Sequence, residues 1–191
     1  MTLVEDNPVP DDSGNYEWSR WRTIEAGIRT LGSWPTCFFG FLSSPEFTDH
    51  GIVTMLKSFY EHGCHLRKYP TRGNWLTMEM NGLFNTAVLF PEFRKAGEWR
   101  DFAMKKLYDD MLVQVYPDGA QTELAPGYHG TSLHCFLGIV KTARMNGVAL
   151  PDDYLSRLEK MFDYYVNIAT PEMKMPPLND TGLSGGADFC Y

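Results

Sequence analysis

Hydrophobic positions recur every three or four residues along most of the chain, which is the spacing of one face of an α-helix. This spacing predicts a first helix from Glu17 to Leu31, ended by the segment "GSWPT". A second helix is expected after Ser44, with Pro45 at its first position and Gly63 at its end. The apolar run "CFFGFLSS" between these two helices is of uncertain type.

The same pattern continues through the second half of the chain. Asn74 is a candidate cap for a third helix that ends near Pro91, and a fourth helix is predicted from Lys95 to Val115. The turn "YPDG" follows, a fifth helix is expected after Tyr128, and a sixth contains the segment "YLSRLEKMFDYY". No stretch shows the strict alternation that is typical of a β-strand.

Short joints between successive helices predict antiparallel neighbours and an all-α fold. Several of the helices are apolar on more than one face, which favours two concentric layers over a thin bundle. We therefore predict that residues 16–180 form helical hairpins of a partial (α/α) toroid, with a flexible lead-in at 1–15 and an irregular tail at 181–191. A helical-repeat solenoid is the alternative, although the hairpins share no clear repeat motif.

Composition narrows the choice of partner. Aromatic residues make up 14% of the 191 residues, and this density suits a cleft in which flat rings cover the apolar faces of sugars. Filling of the core is the simpler explanation for any single ring. The formal net charge of -7 argues against nucleic acid as a partner, because nucleic-acid binding depends on basic surface.

Several classes of protein are disfavoured by what the sequence lacks. The four cysteines show no CxxC pairing, so neither a disulfide framework nor a zinc site is expected. His62 and His65 could share a helix face, but no third ligand is evident, and we expect no metal and no cofactor. No apolar run is long enough to span a membrane, and the N-terminus has no signal-peptide core, so the protein is cytosolic or its leader lies outside this chain.

Two stretches carry candidate chemistry. In "AQTELAPGYHG", a segment bent by Pro and Gly presents Tyr128 and His129, which can both donate and accept a proton. In "HLRKYPTRGNW", a run of basic residues ends at Arg72, just before Asn74. An acidic protein that binds a polyanion needs such a local positive groove, although a solvated loop is the simpler interpretation.

Three longer segments place these candidates in an ordered series of motifs: "WRTIEAGIR", "GNWLTMEMNGLFNTAVLFPEFRKAGEW" and "VQVYPDGAQTELAPGYH". Together, from about Trp18 to Asp180, they resemble the N-terminal α/α-toroid domain of the heparinase II/III family of polysaccharide lyases. The resemblance implies β-elimination at C4 of an acidic sugar, and a periplasmic or secreted location. The C-terminal β-sandwich domain of the family, with further catalytic His residues, is expected but absent from this chain.

The resemblance also assigns roles to individual residues. The Asn of the family falls on Asn74, which would neutralise the uronate carboxylate, and its Tyr falls on Tyr128, which would serve as base and acid. Glu79 is expected to face a cleft or solvent, and Glu123 to bond the tyrosine loop or a sugar hydroxyl. The predicted substrate-binding residues are His129, Glu123, Arg72, Trp75 and Glu79.

Two other functions stay open at this point. A glycoside hydrolase on the same type of barrel would use Asp118, Glu123 and Glu79 as general acid and base. A non-catalytic carbohydrate-binding or scaffolding piece would need none of these groups for chemistry. In the leading hypothesis the partner is an acidic polysaccharide, such as heparan sulfate or alginate.

Overall fold

The computed structural model describes residues 4–181, and this part of the chain is built from α-helices with short joints. Its only β-type pairing within that range is an isolated antiparallel bridge between Val115 and Gln121. The prediction of an all-α fold is therefore confirmed. In chain order the helices are α1 (Thr23–Leu31), α2 (Ser33–Phe41), α3 (Asp49–Lys68), α4 (Gly73–Leu89), α5 (Ala96–Gln114), α6 (Pro126–Met145) and α7 (Tyr154–Ile168).

The chain divides into two compact units, Met1–Leu107 and Tyr108–Tyr191, with the boundary inside α5. The first unit contains α1 to α4 and the beginning of α5, and the second contains the end of α5 with α6 and α7. Both units bury apolar side chains, including Phe59 and Leu83 in the first and Phe136 and Met161 in the second. A single domain over residues 16–180 stays a prediction.

In the first unit, α1 and α4 pack with their backbones in direct contact. A Cβ atom at Gly27 would lie 2.8 Å from the Cα atom of Glu79, and one at Gly82 would lie 2.9 Å from the Cα atom of Gly27. Further along both helices, the Asn85 side-chain amide donates to the Leu31 carbonyl at 3.1 Å. The two helices therefore run parallel, and their N-terminal ends lie at the same end of the unit.

The first helix starts later than predicted, and a further helix follows it. α1 begins at Thr23 rather than Glu17, where the Asn15 side-chain oxygen accepts a hydrogen bond from the Thr23 backbone N–H at 2.8 Å. α1 ends at Leu31 as predicted, with Gly32 as its C-cap, but a further helix, α2, begins at once at Ser33 and holds Pro35 in its first turn. Proline is tolerated there since the first backbone N–H groups of a helix have no intrahelical partner.

The predicted limits of α3 were wrong at both ends. The helix begins at Asp49, not at Pro45, because the Thr48 hydroxyl accepts a hydrogen bond from the Gly51 N–H at 3.3 Å and caps it. It also continues through Gly63 to Lys68. A Cβ atom at Gly63 would collide with the Trp99 ring, so this glycine makes room for an indole instead of ending the helix.

The remaining helices agree more closely with the sequence pattern. α4 ends at Leu89, just before Pro91 as predicted, but Arg72 occupies its cap position, so the prediction that Asn74 caps the helix was wrong. α5 lies within one residue of the predicted limits. α6 begins with Pro126 and therefore already includes Tyr128.

In the second unit, α6 and α7 are joined by buried polar contacts as well as apolar ones. The ring of Tyr154 on α7 is fully buried, and its hydroxyl donates to the Phe136 carbonyl of α6 at 3.1 Å. Burial raises the pKa of this phenol, so Tyr154 stays protonated and keeps its donor. This hydrogen bond satisfies a polar atom that would otherwise be costly to bury.

Three observations on the described residues bear on membrane, disulfide and metal-binding functions. None of the helices in residues 4–181 combines the length and the apolar character needed to cross a bilayer. The cysteines described, Cys37, Cys64 and Cys135, are free thiols. Over the same range, no three or more His, Cys, Asp or Glu side chains come together in a group that could hold a metal ion.

Candidate functional site

Asn74 lies in the first turn of α4, immediately after Gly73. Its backbone carbonyl accepts a hydrogen bond from the Thr77 hydroxyl at 2.6 Å, while its half-buried side-chain amide has no hydrogen-bond partner within the described part of the chain. Backbone N–H groups in the first turn of a helix favour an anion. The Asn74 amide and this helix end can therefore act together on a negatively charged group.

Glu79 secures the loop that leads into α4. Its side chain is 0% exposed, and its two carboxylate oxygens accept hydrogen bonds from the Thr71 N–H and the Thr71 hydroxyl, each at 2.8 Å. Burial raises the pKa of this carboxyl group, while hydrogen bonds from Thr23 and Thr71 oppose that rise. The expectation that Glu79 faces a cleft or solvent was wrong, because α1 covers it at the Gly27 contact.

Arg72 and Trp75 flank Asn74 and are more accessible than Glu79. Arg72 is exposed at the cap position and has no carboxylate partner among the residues described, whereas Arg67 of the same basic stretch pairs with Glu98 at 2.9 Å. Trp75 is half-buried, and the guanidinium carbon of Arg22 lies 5.7 Å from the centre of its ring. The start of α4 thus presents an amide, a cation and an indole close together in sequence.

Tyr128 occupies the corresponding part of α6, its first turn. Pro126 begins the helix with a fixed backbone angle, and Tyr128 follows two residues later with 37% of its surface exposed. Within residues 4–181 its hydroxyl has no hydrogen-bond partner. The phenol is therefore open to solvent and to a ligand.

The loop before α6 is held by an amide that sequence reasoning missed. The buried Gln121 side chain donates to the Gln114 side-chain oxygen at 3.2 Å and to the Glu123 carboxylate at 3.1 Å. Its own oxygen accepts from the Glu123 N–H at 3.0 Å, and Asn179 donates to the Glu123 carbonyl at 3.1 Å. Glu123 is exposed and braces this loop. No local signal in the sequence marked Gln121, because its partner Gln114 belongs to the end of the preceding helix.

His129, next to Tyr128, is buried against α7. Its Nε2 atom lies 3.0 Å from the Met161 carbonyl, and its ring stacks on Tyr165 with 5.1 Å between the ring centres. Burial lowers the pKa of His129, so the ring is neutral and Nε2–H is the donor to this carbonyl. His129 is 1% exposed and helps to hold α6 on α7; a direct contact with substrate stays a prediction.

The candidate residues fall into two groups. The first unit holds Arg72, Asn74, Trp75 and Glu79, and the second holds Glu123, Tyr128 and His129. That Asn74 and Tyr128 act on one sugar ring stays a prediction.

Comparisons with known proteins agree on one family. Residues 1–187 match the family model described as Heparinase II/III N-terminus. A heparin-sulfate lyase of Bacteroides stercoris is 32% identical over 185 residues, which cover 95% of this chain and 28% of that protein. A heparin-sulfate lyase of Pedobacter heparinus is 29% identical over 167 residues, covering 86% of this chain and 25% of that protein.

Solved structures give the same result. The crystal structure of heparinase III is 27% identical in sequence with a TM-score of 0.83, over 89% of this chain and 26% of that one. The structure of heparan sulfate lyase HepC from Pedobacter heparinus is 28% identical with a TM-score of 0.73, over 90% of this chain and 27% of that one. The chain thus spans about a quarter of the length of these relatives, and the predicted class, helices of an α/α-toroid domain, is confirmed.

Proposed function

Since the chain belongs to the heparinase II/III family, as its N-terminal domain, we propose that the protein is a polysaccharide lyase that cleaves a uronic-acid-containing glycosaminoglycan by β-elimination. One observation carries this proposal. The two residues to which the family resemblance assigns chemistry, Asn74 and Tyr128, both lie in the first turn of a helix with polar side-chain groups unpaired within the described range. The relatives that the chain matches are named heparin-sulfate lyases.

Asn74 would act on the carboxylate of the uronic acid. Removal of the C5 proton places negative charge on the carboxylate, and the substrate resists this because the group is already charged. The side-chain amide of Asn74 donates to the carboxylate oxygen as that charge develops. One such fixed donor is typically worth roughly 3–4 kcal/mol in the transition state.

Tyr128 would transfer the proton. Its oxygen acts as the phenolate and takes the proton from C5. The electron pair of the C5–H bond forms the double bond between C4 and C5, and the bond between C4 and the leaving oxygen breaks with its electron pair on that oxygen. The same oxygen then returns the proton to the leaving oxygen. Because the proton goes from C5 to the leaving group, the atoms balance with neither water nor an oxidant.

The neighbouring residues divide into contacts and supports. Arg72 would pair with a carboxylate or sulfate group, and Trp75 would stack on a sugar face. Glu79, Glu123 and His129 would act through other groups: Glu79 holds Thr71, Glu123 braces the loop before Tyr128, and His129 fixes α6.

The hydrolase alternative has weaker support. It requires carboxylates that face substrate, yet Glu79 is buried on Thr71, and Asp118 accepts a hydrogen bond from the Ala120 N–H at 3.0 Å within its own turn. A pair of free carboxylates is therefore not formed by these two groups.

The proposal extends to the part of the relatives that this chain does not span. We propose that the corresponding part of the full-length protein supplies the C-terminal β-sandwich domain and the further catalytic His residues that the family resemblance implies. A periplasmic or secreted location would bring the protein to a polymeric acidic polysaccharide.

A lyase assay on the full-length protein tests the proposal. Heparan sulfate is the substrate, and the ultraviolet absorbance of the C4–C5 double bond is the signal. We expect Asn74→Ala and Tyr128→Phe each to lower kcat by about 10²-fold or more while circular dichroism stays unchanged. Asn146→Ala and Tyr116→Phe, at an exposed Asn and an exposed Tyr, serve as matched controls. New reducing ends without ultraviolet absorbance would show hydrolysis and refute the proposal.

A further inference from the structure

The first unit contains a cavity of about 640 Å³ beside the start of α1. Its wall includes the side chains of Trp18, Arg20, Arg22, Arg29, Trp34 and His62. Arg22 links the cavity to the candidate site, because its guanidinium carbon also lies 5.7 Å from the ring centre of Trp75. Arg22 therefore connects the cavity with Trp75, the residue that follows Asn74.

The cavity carries positive charge in a protein that is acidic overall. Arg29 lies between two indoles, with its guanidinium carbon 5.8 Å from the Trp21 ring centre and 5.4 Å from that of Trp34. It donates hydrogen bonds to the backbone carbonyls of Glu25 and Arg20. Neither Arg29 nor the exposed Arg20 forms an ion pair with a described carboxylate.

The three arginines of the wall outnumber its two glutamates, so one positive charge is left in excess. Glu25 forms an ion pair with Arg22, whose guanidinium donates to both of its carboxylate oxygens, to one of them at 3.0 Å. Glu17 remains as the other carboxylate of the wall, against Arg20 and Arg29. A local excess of guanidinium groups favours an anionic ligand such as a carboxylate or a sulfate.

Trp18 offers a flat apolar surface at the cavity. Its side chain is 88% exposed, and its backbone lies in the left-handed region with φ of 66°. For a bulky residue that conformation is strained. An indole held in solvent by a strained turn is suited to stack on the apolar face of a sugar ring.

His62 supplies a buried polar atom without a partner. Its Nδ1 atom lies 2.8 Å from the Ser58 carbonyl and is the donor, which leaves Nε2 as a bare acceptor. Burial, reinforced by the charge of Arg29, lowers the pKa of His62 to about 3, so the ring is neutral. The residue is 1% exposed, and Nε2 has no partner in the described structure. An unpaired buried acceptor is unfavourable, and a ligand hydroxyl that donates to it removes that cost.

We propose that this cavity binds an acidic sugar residue of the polymer, next to the residue that is cleaved. Arg20 and Arg29 take its carboxylate or sulfate group, Trp18 stacks on its ring, and His62 accepts a hydrogen bond from a hydroxyl. The inference rests on the proposed lyase function, since it assumes that a sugar chain passes Asn74 and Trp75.

Binding measurements separate this site from the chemistry. The full-length protein carries Tyr128→Phe to stop turnover, and calorimetry measures the Kd of a heparan sulfate tetrasaccharide. Trp18→Ala and Arg20→Ala are informative because both side chains are exposed, so their loss spares the core. We expect each to raise Kd about tenfold, the equivalent of about 1.4 kcal/mol. Phe41→Ala and Lys57→Ala, at exposed positions of α2 and α3, should leave Kd within about twofold.

Two outcomes would overturn the site. An unchanged Kd for both variants means that no sugar occupies the cavity. A second outcome is that Arg20→Ala weakens the binding of dextran sulfate as much as that of the tetrasaccharide, while Trp18→Ala leaves the Kd of the tetrasaccharide unchanged. The cavity would then attract polyanions in general and would not be a sugar site. The lyase proposal is tested separately, in the protein that keeps Tyr128. If that protein forms no unsaturated product, the lyase proposal fails.

Discussion

The carboxylate of Glu79 and residue Thr71 form a paired contact: one oxygen accepts from the backbone N–H and the other from the hydroxyl, both at 2.8 Å. Thr71 precedes Asn74 by three residues, so this contact fixes the path of the chain into the first turn of α4. Glu79 is in turn covered by α1 at Gly27. The position of the Asn74 amide thus depends on a side chain that does not face solvent.

Glu79→Ala should therefore impair both stability and turnover. The change leaves the two donors of the half-buried Thr71 without their acceptor, and we expect a total loss of about 1–3 kcal/mol. Glu79→Gln, which keeps one oxygen acceptor and the shape, should recover part of both losses. Urea unfolding and the lyase kcat, measured well below the unfolding temperature, check this. Glu92→Ala at an exposed position is the control, and a kcat equal to wild type in Glu79→Ala would argue against a positioning role.

Gly82→Ala should destabilise the first unit. A Cβ atom there would come within 2.9 Å of the Gly27 Cα atom and would also overlap the Thr30 hydroxyl, so α1 and α4 would have to separate. Overpacking of this kind costs about 1–3 kcal/mol. Gly40→Ala in α2 is the matched control, since a Cβ atom there meets nothing within 4 Å and alanine favours helix. Thermal unfolding distinguishes them, and equal melting temperatures would contradict the close approach of the two helices.

Stability should fall in acid because His62 is buried as a neutral ring. Its pKa drops from an ordinary 6.5 to about 3 on folding, so the unfolded chain binds the proton more readily. The contribution of neutral His62 to the free energy of unfolding is fully present above pH 6.5 and is lost progressively as the pH falls towards 3. The loss reaches up to about 5 kcal/mol, at about 1.4 kcal/mol for each unit of the pKa difference. Burial lowers the pKa of His65 and His129 in the same direction.

Urea unfolding of the wild type and of His62→Gln across this pH range measures the effect. The variant cannot take up the proton in its unfolded state, so its free energy of unfolding should depend less on pH between 6.5 and 3. Thr36→Ser, at an exposed position that does not titrate, is the control and should keep the wild-type slope. Parallel slopes for all three proteins would show that His62 is not the buried neutral group described.

Gln121→Ala should loosen the loop before Tyr128. Its side chain joins Gln114 to Glu123, and its loss leaves the Glu123 N–H without its acceptor. We expect a loss of about 1–3 kcal/mol in stability and a lower kcat. Thr122→Ala, one residue further along, keeps the backbone hydrogen bond to Gln114 and is the control. If hydrogen exchange at residues 121–127 is the same in both variants, the bracing role is wrong.

Local signals in the sequence were sufficient for part of the fold. The end of α4 before Pro91 and the limits of α5 follow from proline and from apolar spacing, which depend on neighbouring residues. The prediction that Gly63 ends α3 was wrong because glycine has two common uses in helices. It can end a helix, or it can leave room inside a helix for a side chain that packs against it. Its actual neighbour, the Trp99 ring, comes from another helix and has no local signature.

In the candidate site, too, some features follow from the sequence and others depend on contacts that only the fold creates. Asn74 and Tyr128 were selected through resemblance to a family, and the structure adds that their polar groups lie in the first turns of α4 and α6. The burial of Glu79 could not be predicted, because it depends on the contact between α1 and α4. Likewise, the role of Gln121 depends on a loop that folds back on the end of α5.

The glycine contact between α1 and α4 has a consequence for how this protein can change over evolutionary time. Because neither Gly27 nor Gly82 carries a side chain, the backbones of α1 and α4 approach each other directly at these positions. If the proposed lyase function and sugar site hold, mutations at the exposed Trp18 or Arg20 could alter which sugars bind while the contact between α1 and α4 stays in place. On the proposed function, evolution could then vary the preferred sugar and the position of Asn74 independently of each other.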